Sequence, residues 1–409
     1  MSREVEPLLG SINQEGASSI PSSSSSSSVG GNSSMLSSVV NLTNTILGAG
    51  LLALPFAFRL SGLGLGLLFL IFVWLFSALS FDVLGRAAQL TGLFTYKEIA
   101  LKAYGKPLAI ISELCILLYT FLSLVSRPII LSSYLVTVFA SWTYPNVPYV
   151  LGERWFFIVA VLLIIFPLTF LRNIDALKCK LKWENKFFSL FVLYFFFSFL
   201  FFFFFFLYLD SSFFSLICIL FASIVVYVMF AQTPNAAARL LEVKFFPDTL
   251  SGLATSLISL GIMVVSFCAH YNAPRMYQEL QARSVTRWRL VVIASTSLCF
   301  LAYASVGVMG YMTCLTFTED NVLDDYGQNV VIVTVARLCL SVAIIFSTPL
   351  VLFACRRAFL AVFLPSKVVD TPFWLWITIS GSLLGLSGVI AYLLPSISII
   401  FGFSGAIVG

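Results

Sequence analysis

The 409-residue sequence has little charge and a single histidine. Charged residues make up 10% of the chain and hydrophobic residues 60%, whereas soluble domains carry about 25% charged residues. This composition excludes an ordinary soluble domain and predicts an all-α polytopic membrane protein. His270 is the only histidine, which excludes metal chemistry that depends on several histidines.

Paired cysteines and catalytic motifs are also missing. The eight cysteines include no C-x-x-C pair and most lie in apolar segments, so neither a disulfide framework nor a zinc site is indicated. The sequence contains no GxSxG, phosphate-binding loop or HExxH pattern, and we predict that the chain is not an enzyme. The net charge of +5 comes from basic loops and does not point to a nucleic acid partner.

The first 34 residues differ in composition from the rest. Residues 1–34 are polar and contain a serine run at 22–28, which predicts a disordered tail before a transmembrane domain at 35–409. The tail contains Glu4-Val-Glu-Pro-Leu-Leu9, an acid-x-x-x-Leu-Leu pattern typical of vacuolar and lysosomal sorting signals. We therefore expect the vacuolar or lysosomal membrane rather than the plasma membrane. Basic residues concentrate in alternate loops, which places those loops and the tail in the cytosol.

Residues 187–214 contain 15 of the 42 phenylalanines. Between Lys186 and Arg275, the charge pattern allows one crossing besides the span at 250–272, yet the region holds enough apolar residues for two. We therefore interpret residues 179–210 as a translated intron, because a polypyrimidine tract is read as Phe, Leu and Ser. A phenylalanine-rich helix lying in the plane of the membrane is the other interpretation.

The first hydrophobic segment, at 35–60, contains residues that break helices. Gly48 and Gly50 lie at mid-depth and Pro55 follows closely, and these residue types favour an interruption. Lipid cannot satisfy the backbone groups that a break releases, so an interrupted span indicates a site for a solute, an ion or water. Close helix packing on small residues is the alternative interpretation.

The sixth span has a similar feature. Pro274 removes an amide donor and disfavours helix before it, which predicts an interruption at 270–274. The charge pattern makes this span antiparallel to the first. Two interrupted antiparallel helices, each opening a group of five, are typical of an inverted-repeat transporter, whereas a single proline kink in an ordinary helix would carry no function.

Other polar residues lie deep in predicted spans. Ser347 and Thr348, beside Pro349, offer hydroxyls either as cation ligands or as donors to their own helix. Arg127 in the third span is a functional candidate, because a charge at that depth is costly. His270 either couples transport to pH or is a buried structural histidine.

Together these residues resemble a known family over residues 37–409. The matching segments are residues 41–50, Leu54-Pro55, Phe267, His270-x-Asn272, Tyr277-x-Glu279-Leu280, Leu171-Arg-Asn-Ile-Asp175 and Gly307-x-x-Gly-Tyr311. They resemble the amino acid/auxin permease family, nearest to its vacuolar and sodium-coupled neutral amino acid transporters. Arg127-Pro128 stands where that family has an apolar pair.

The resemblance implies a LeuT-like five-plus-five inverted repeat with an eleventh span, and we expect this chain to end within the tenth. It implies a secondary active amino acid transporter with alternating access, driven by a sodium ion or a proton and needing no other cofactor. The expected partners are an amino acid and membrane lipid, and the sequence leaves the oligomeric state open. Two alternatives remain, an amino acid sensor that signals to cytosolic partners and a non-functional truncated fragment.

The same resemblance implies which residues form the site. The implied substrate-binding residues are Thr45, Gly48, Ala49, Gly50, Leu51, Phe267, His270 and Asn272. The implied cation-binding residues are Asn44 with Ser347 or Thr348.

Overall fold

The computed structural model describes residues 31–408 except 32, 49, 144–147, 169–210, 234–238, 240–241, 328–329, 366–370 and 395. The tail before residue 31, the interpreted intron at 179–210 and the predicted site residue Ala49 therefore lie outside the described residues. The first helix after the Phe-rich tract begins at Ser211.

The described residues form fourteen α-helices. In chain order they are α1 Met35–Ile46, α2 Gly50–Ser61, α3 Leu63–Thr91, α4 Tyr96–Tyr104, α5 Lys106–Thr143, α6 Tyr149–Gly152, α7 Arg154–Leu168, α8 Ser211–Ala231, α9 Leu250–Ser266, α10 Ala273–Glu279, α11 Val285–Cys314, α12 Val331–Phe363, α13 Phe373–Leu393 and α14 Ile397–Val408. Short 3-10 turns at His270–Asn272 and Leu315–Phe317 connect neighbouring helices.

Six helical segments are long and apolar enough to cross a membrane. Within the described ranges, α3, α5, α11, α12, α13 and the combined α9–α10 segment pass this test, which makes six spans. The pair α1–α2, bent by 52° at its break, makes a seventh when its two helices are counted as one span. Three shorter apolar helices lie in α7, α8 and α14. The predicted all-α polytopic membrane protein is therefore confirmed.

The two broken segments pack at the centre of the bundle. Helix α2 packs against both α9 and α11, and α5 packs against α12. Glycines on α11 allow the close approach of α2, since a Cβ added to Gly310 would lie 2.5 Å from Cγ of Pro55. A Cβ added to Gly307 would lie 2.3 Å from Cε2 of Phe58. The Gly-x-x-Gly motif is thus a packing surface for α2.

Different segments form contacts at the two ends of the bundle. At one end Ser33 forms a β-bridge with Leu280, in which the Ser33 amide donates to the Glu279 carbonyl and the Gln281 amide donates to the Ser33 carbonyl, both at 2.9 Å. This pairing joins the start of α1 to the chain that follows α10.

At the opposite end, the loop between α11 and α12 covers α2. Arg59 Nη1 donates to the Thr318 carbonyl at 2.7 Å, and the Val322 amide donates to the Leu52 carbonyl at 3.0 Å. The contact between Val322 and Leu52 lies close to Pro55. A proline has no amide proton and therefore interrupts the regular helical hydrogen bonds. The acidic loop therefore forms a cover over the break between α1 and α2.

We expect this cover to depend on pH through Asp325. Burial raises the pKa of Asp325 to about 7, although the hydrogen bond that its carboxylate accepts from the Glu319 amide lowers it. The nearby charges of Glu319 and Asp324 raise the pKa further, and the charge of Arg59 lowers it. A raised carboxyl pKa means that the buried, covering conformation binds the proton more tightly than an open one. The cover is then most stable at low pH and loses stability as pH rises through about 7.

Hydrogen exchange of residues 319–325, corrected for its intrinsic pH dependence, measures this effect. We expect faster opening at pH 8 than at pH 5.5, and Asp325→Asn, which cannot ionise, should remove most of the difference. An unchanged pH dependence in the Asn variant would show that another group is responsible.

Candidate functional site

The first span is interrupted where its two glycines lie. Helix α1 ends at Ile46 and α2 begins at Gly50. In the gap, the Gly48 amide donates to the Ile46 carbonyl at 2.7 Å and the Leu51 amide donates to the Gly48 carbonyl at 3.3 Å. The carbonyl end of one helix and the amide end of the next therefore meet at this break, and they carry partial negative and partial positive charge respectively.

The sixth span is interrupted earlier than the sequence predicts. Helix α9 ends at Ser266, and a 3-10 turn at His270–Asn272 leads into α10. The predicted interruption at 270–274 is corrected because Pro274 lies in the first turn of α10. A proline is favourable there, since the amide it lacks would have no helical partner. The proline opens the second half-helix and does not end the first.

One tyrosine hydroxyl connects the two breaks. Tyr303 of α11 is fully buried, and its Oη lies 2.7 Å from the carbonyl oxygen of Ile46 and 2.7 Å from that of Ser266. These are the last residues of α1 and α9. A hydroxyl has a single proton to donate, so the two helix ends share one donor. This geometry places the two breaks side by side.

Further contacts support this arrangement. On α11, Ser295 Oγ donates to the Val39 carbonyl at 3.2 Å and Cys299 Sγ to the Thr43 carbonyl at 3.8 Å. With Tyr303, these donors recur every four residues and so form one face of α11 along α1. From α5, Tyr119 Oη donates to the Cys268 carbonyl at 2.6 Å, within the second break.

A cavity of about 630 Å³ adjoins the first break. It extends from the break to Phe94, Lys97, Arg275 and Arg357, at the end of the bundle that carries the basic segments. Among the predicted residues, its lining includes Asn44, Thr45, Gly48, Gly50, Leu51, Asn272 and Ser347. The structure thus brings most of the described predicted residues around one cavity.

Phe267 and His270 do not lie on the wall of this cavity, and their expected role in substrate binding stays a prediction. Phe267 is fully buried and packs edge-to-face on Tyr303, with ring centroids 5.0 Å apart. His270 stacks on Phe81 of α3 with ring centroids 4.1 Å apart. Because α9 ends earlier than the sequence predicts, the segment that carries both side chains turns toward α3 and α11. Tyr271 lines the cavity in their place.

The residues predicted to bind a cation contact an arginine. Ser347 Oγ accepts a hydrogen bond from Arg127 Nη1 at 2.6 Å, and Thr348 Oγ1 lies 3.4 Å from the same nitrogen. Both hydroxyls also donate to the Ile344 carbonyl. Asn44 Oδ1 is buried and has no hydrogen-bond partner in the described part of the chain.

Tyr303, Tyr119 and Tyr271 were not identified from the sequence. Each is a polar aromatic residue within an apolar span, and a buried tyrosine hydroxyl requires a partner. The need of a buried tyrosine hydroxyl for a hydrogen-bond partner marks these residues as candidates, but it does not indicate which helix provides the partner.

Replacing Tyr303 with phenylalanine tests the shared donor. The ring packing on Phe267 is kept and the hydroxyl is lost, so two buried carbonyls lose their partner. An unsatisfied buried group costs about 1–3 kcal/mol, and we expect a lower Tm of the detergent-purified protein. Tyr392→Phe is the control because that side chain is 61% exposed. Equal Tm values for the two variants would contradict the assigned contact.

The approach of Gly50 to Ser266 gives a second test. A Cβ at Gly50 would lie 2.4 Å from Ser266 Oγ and 3.0 Å from Ser266 Cα, whereas at Gly48 the nearest atom is the Ile46 oxygen at 3.9 Å. Gly50→Ala should therefore lower the stability by about 1–3 kcal/mol, the usual range for overpacking. Gly48→Ala should leave the Tm almost unchanged, and a reversed order would refute the packing of α2 on α9.

Comparison of the amino-acid sequence with known proteins identifies the family of this chain. The chain is 22% identical to the putative sodium-coupled neutral amino acid transporter 11 of Bos taurus over 80% of this chain and 63% of that protein. It is 26% identical to the sodium-coupled neutral amino acid symporter 2 of Danio rerio over 90% of this chain and 71% of that protein. It is 27% identical to amino acid transporter AVT6E of Arabidopsis thaliana over 73% of this chain and 55% of that protein.

The matched part of the chain thus spans between about half and three quarters of the length of these relatives. The family described as transmembrane amino acid transporter protein matches residues 31–409. This match covers nearly the whole chain and includes both interrupted spans. The chain therefore belongs to the transmembrane amino acid transporter family.

Proposed function

We propose that this chain is a secondary active transporter that binds an amino acid between the two interrupted spans. The observation that carries the proposal is the pair of helix ends held together by Tyr303, at the inner end of a cavity. Helix interruptions in a membrane leave main-chain groups that only a polar partner satisfies. An amino acid supplies such a partner at both of its charged ends.

The partial charges of the two helix ends at the first break are complementary to the two charged groups of a zwitterion. The amide groups at the start of α2 attract the substrate carboxylate, and the carbonyl groups at the end of α1 attract its ammonium group. Gly48, Gly50 and Leu51 line the cavity at this point. Recognition by the main chain fixes the common part of amino acids, and the remaining cavity accommodates the side chain.

The conformation suits the inward-facing state of an alternating-access cycle. The acidic loop covers α2 at one end, and the cavity extends to basic residues at the other, which the positive-inside rule assigns to the cytosol. Transport then requires a conformational change that opens the loop side and closes the cavity side. We further propose a vacuolar or lysosomal membrane as the site of action, on the sorting pattern at residues 4–9.

A second candidate function is an amino acid sensor. Ser33 is hydrogen-bonded to the chain after α10, so a conformational change at the second break would reach the cytosolic tail. A sensor would bind the amino acid and change the exposure of the tail with little net flux.

Uptake into proteoliposomes separates the two functions. We expect labelled neutral amino acids to accumulate, and we expect Gly50→Val to lower uptake by at least tenfold because its side chain fills the space beside Ser266. Leu68→Val, at an exposed position of α3, is the control. Saturable binding without uptake in the wild type would favour the sensor, and full uptake by Gly50→Val would refute the site.

A further inference from the structure

Arg127 occupies the centre of a set of oxygens on α12. Its Nη1 lies 2.6 Å from Ser347 Oγ, 3.2 Å from the Ile344 carbonyl oxygen and 3.4 Å from Thr348 Oγ1. Two hydroxyls and one carbonyl converge on this single nitrogen. Such neutral oxygens are the ligand type that a hard cation prefers, and here the positive charge they surround belongs to a side chain.

The guanidinium of Arg127 has no carboxylate partner among the described residues. None of the ion pairs found between described residues includes Arg127. Glu113, on the same helix and on the same cavity, is fourteen residues away, which corresponds to about 21 Å along a helix. Within the described part of the chain, the positive charge of Arg127 is therefore stabilised at short range by neutral oxygens.

A guanidinium differs from a bound ion in one decisive way. Arginine remains protonated under all ordinary conditions, and its charge cannot leave the site because the side chain is covalently attached. A sodium ion placed on the same oxygens would lie within contact distance of a fixed positive charge, and the repulsion would exclude it.

We propose that Arg127 replaces the coupling cation of the site, so that this transporter works without sodium at the α5–α12 position. The inference rests on the proposed function but is tested separately from it. The α12 oxygens predicted to bind sodium do not fit a sodium ion while Arg127 is present. The guanidinium holds α5 against α12 permanently, where a dissociable ion would do so only while bound.

Thermal unfolding of the purified full chain tests the proposal without requiring transport. Sodium chloride is varied from 0 to 150 mM with choline chloride added to constant ionic strength. We expect the wild-type Tm to be independent of sodium. In Arg127→Ala the oxygens are released, and sodium at about ten times its Kd should raise the Tm by roughly 2–4 °C.

Arg356→Gln is the matched control. Arg356 is a buried arginine on α12, with Nη1 2.5 Å from Ser380 Oγ and its guanidinium 3.2 Å from the Trp376 ring centroid. Its variant should lose stability without acquiring a response to sodium. If Arg127→Ala does not fold, Arg127→Gln is measured in the same way.

Two outcomes of these measurements would overturn the proposal. A sodium-specific rise in the wild-type Tm that Ser347→Ala abolishes would overturn the proposal. Sodium-insensitive Arg127 variants would overturn it too, because the oxygens would then not form a cation site. A separate titration with a neutral amino acid reports on substrate binding, so failure of the proposed function would appear as the loss of that response alone.

Discussion

Main-chain polar groups inside an apolar environment constrain this whole structure. A continuous helix satisfies its own amides and carbonyls, and a broken one does not. Both interrupted spans therefore depend on side chains from other helices, chiefly the hydroxyls of Tyr303 and Tyr119. These contacts position the helices around the breaks together with apolar packing.

The polar groups of the site are supplied by a few elements with distinct roles. Helix α11 provides a row of donors along α1, which fixes the carbonyl end of the first break. Helix α5 provides Tyr119 to the second break and Arg127 to α12, two turns apart on one helix face. The side chains of α5 thus connect the sixth span with α12. Helix α5 also contributes both Glu113 and Arg127 to the lining of the cavity.

The sequence predicted the first break well because its cause is local. Gly48 and Gly50 are poor helix formers, and the structure separates α1 from α2 at these positions. The second break was placed too late because a proline either ends or begins a helix, and only the tertiary structure decides which. The resemblance alone assigns His270 and Phe267 to the cavity, and in the structure these side chains pack on Phe81 and Tyr303.

Other features could not be read from the sequence because they depend on distant partners. Ser347 and Thr348 were considered either as cation ligands or as donors to their own helix, and the structure shows the second contact together with one to Arg127. That arginine was notable in the sequence only for its depth. Its partner lies 220 residues away along the chain, and no local pattern encodes such a pairing. The inverted repeat implied by the resemblance stays a prediction.

The pairing of Ser33 with the chain after α10 has a mechanical consequence. Two hydrogen bonds fasten the beginning of the first span to the end of the sixth, across the junction between the two proposed halves of the carrier. A motion that separates these two segments would have to break both hydrogen bonds.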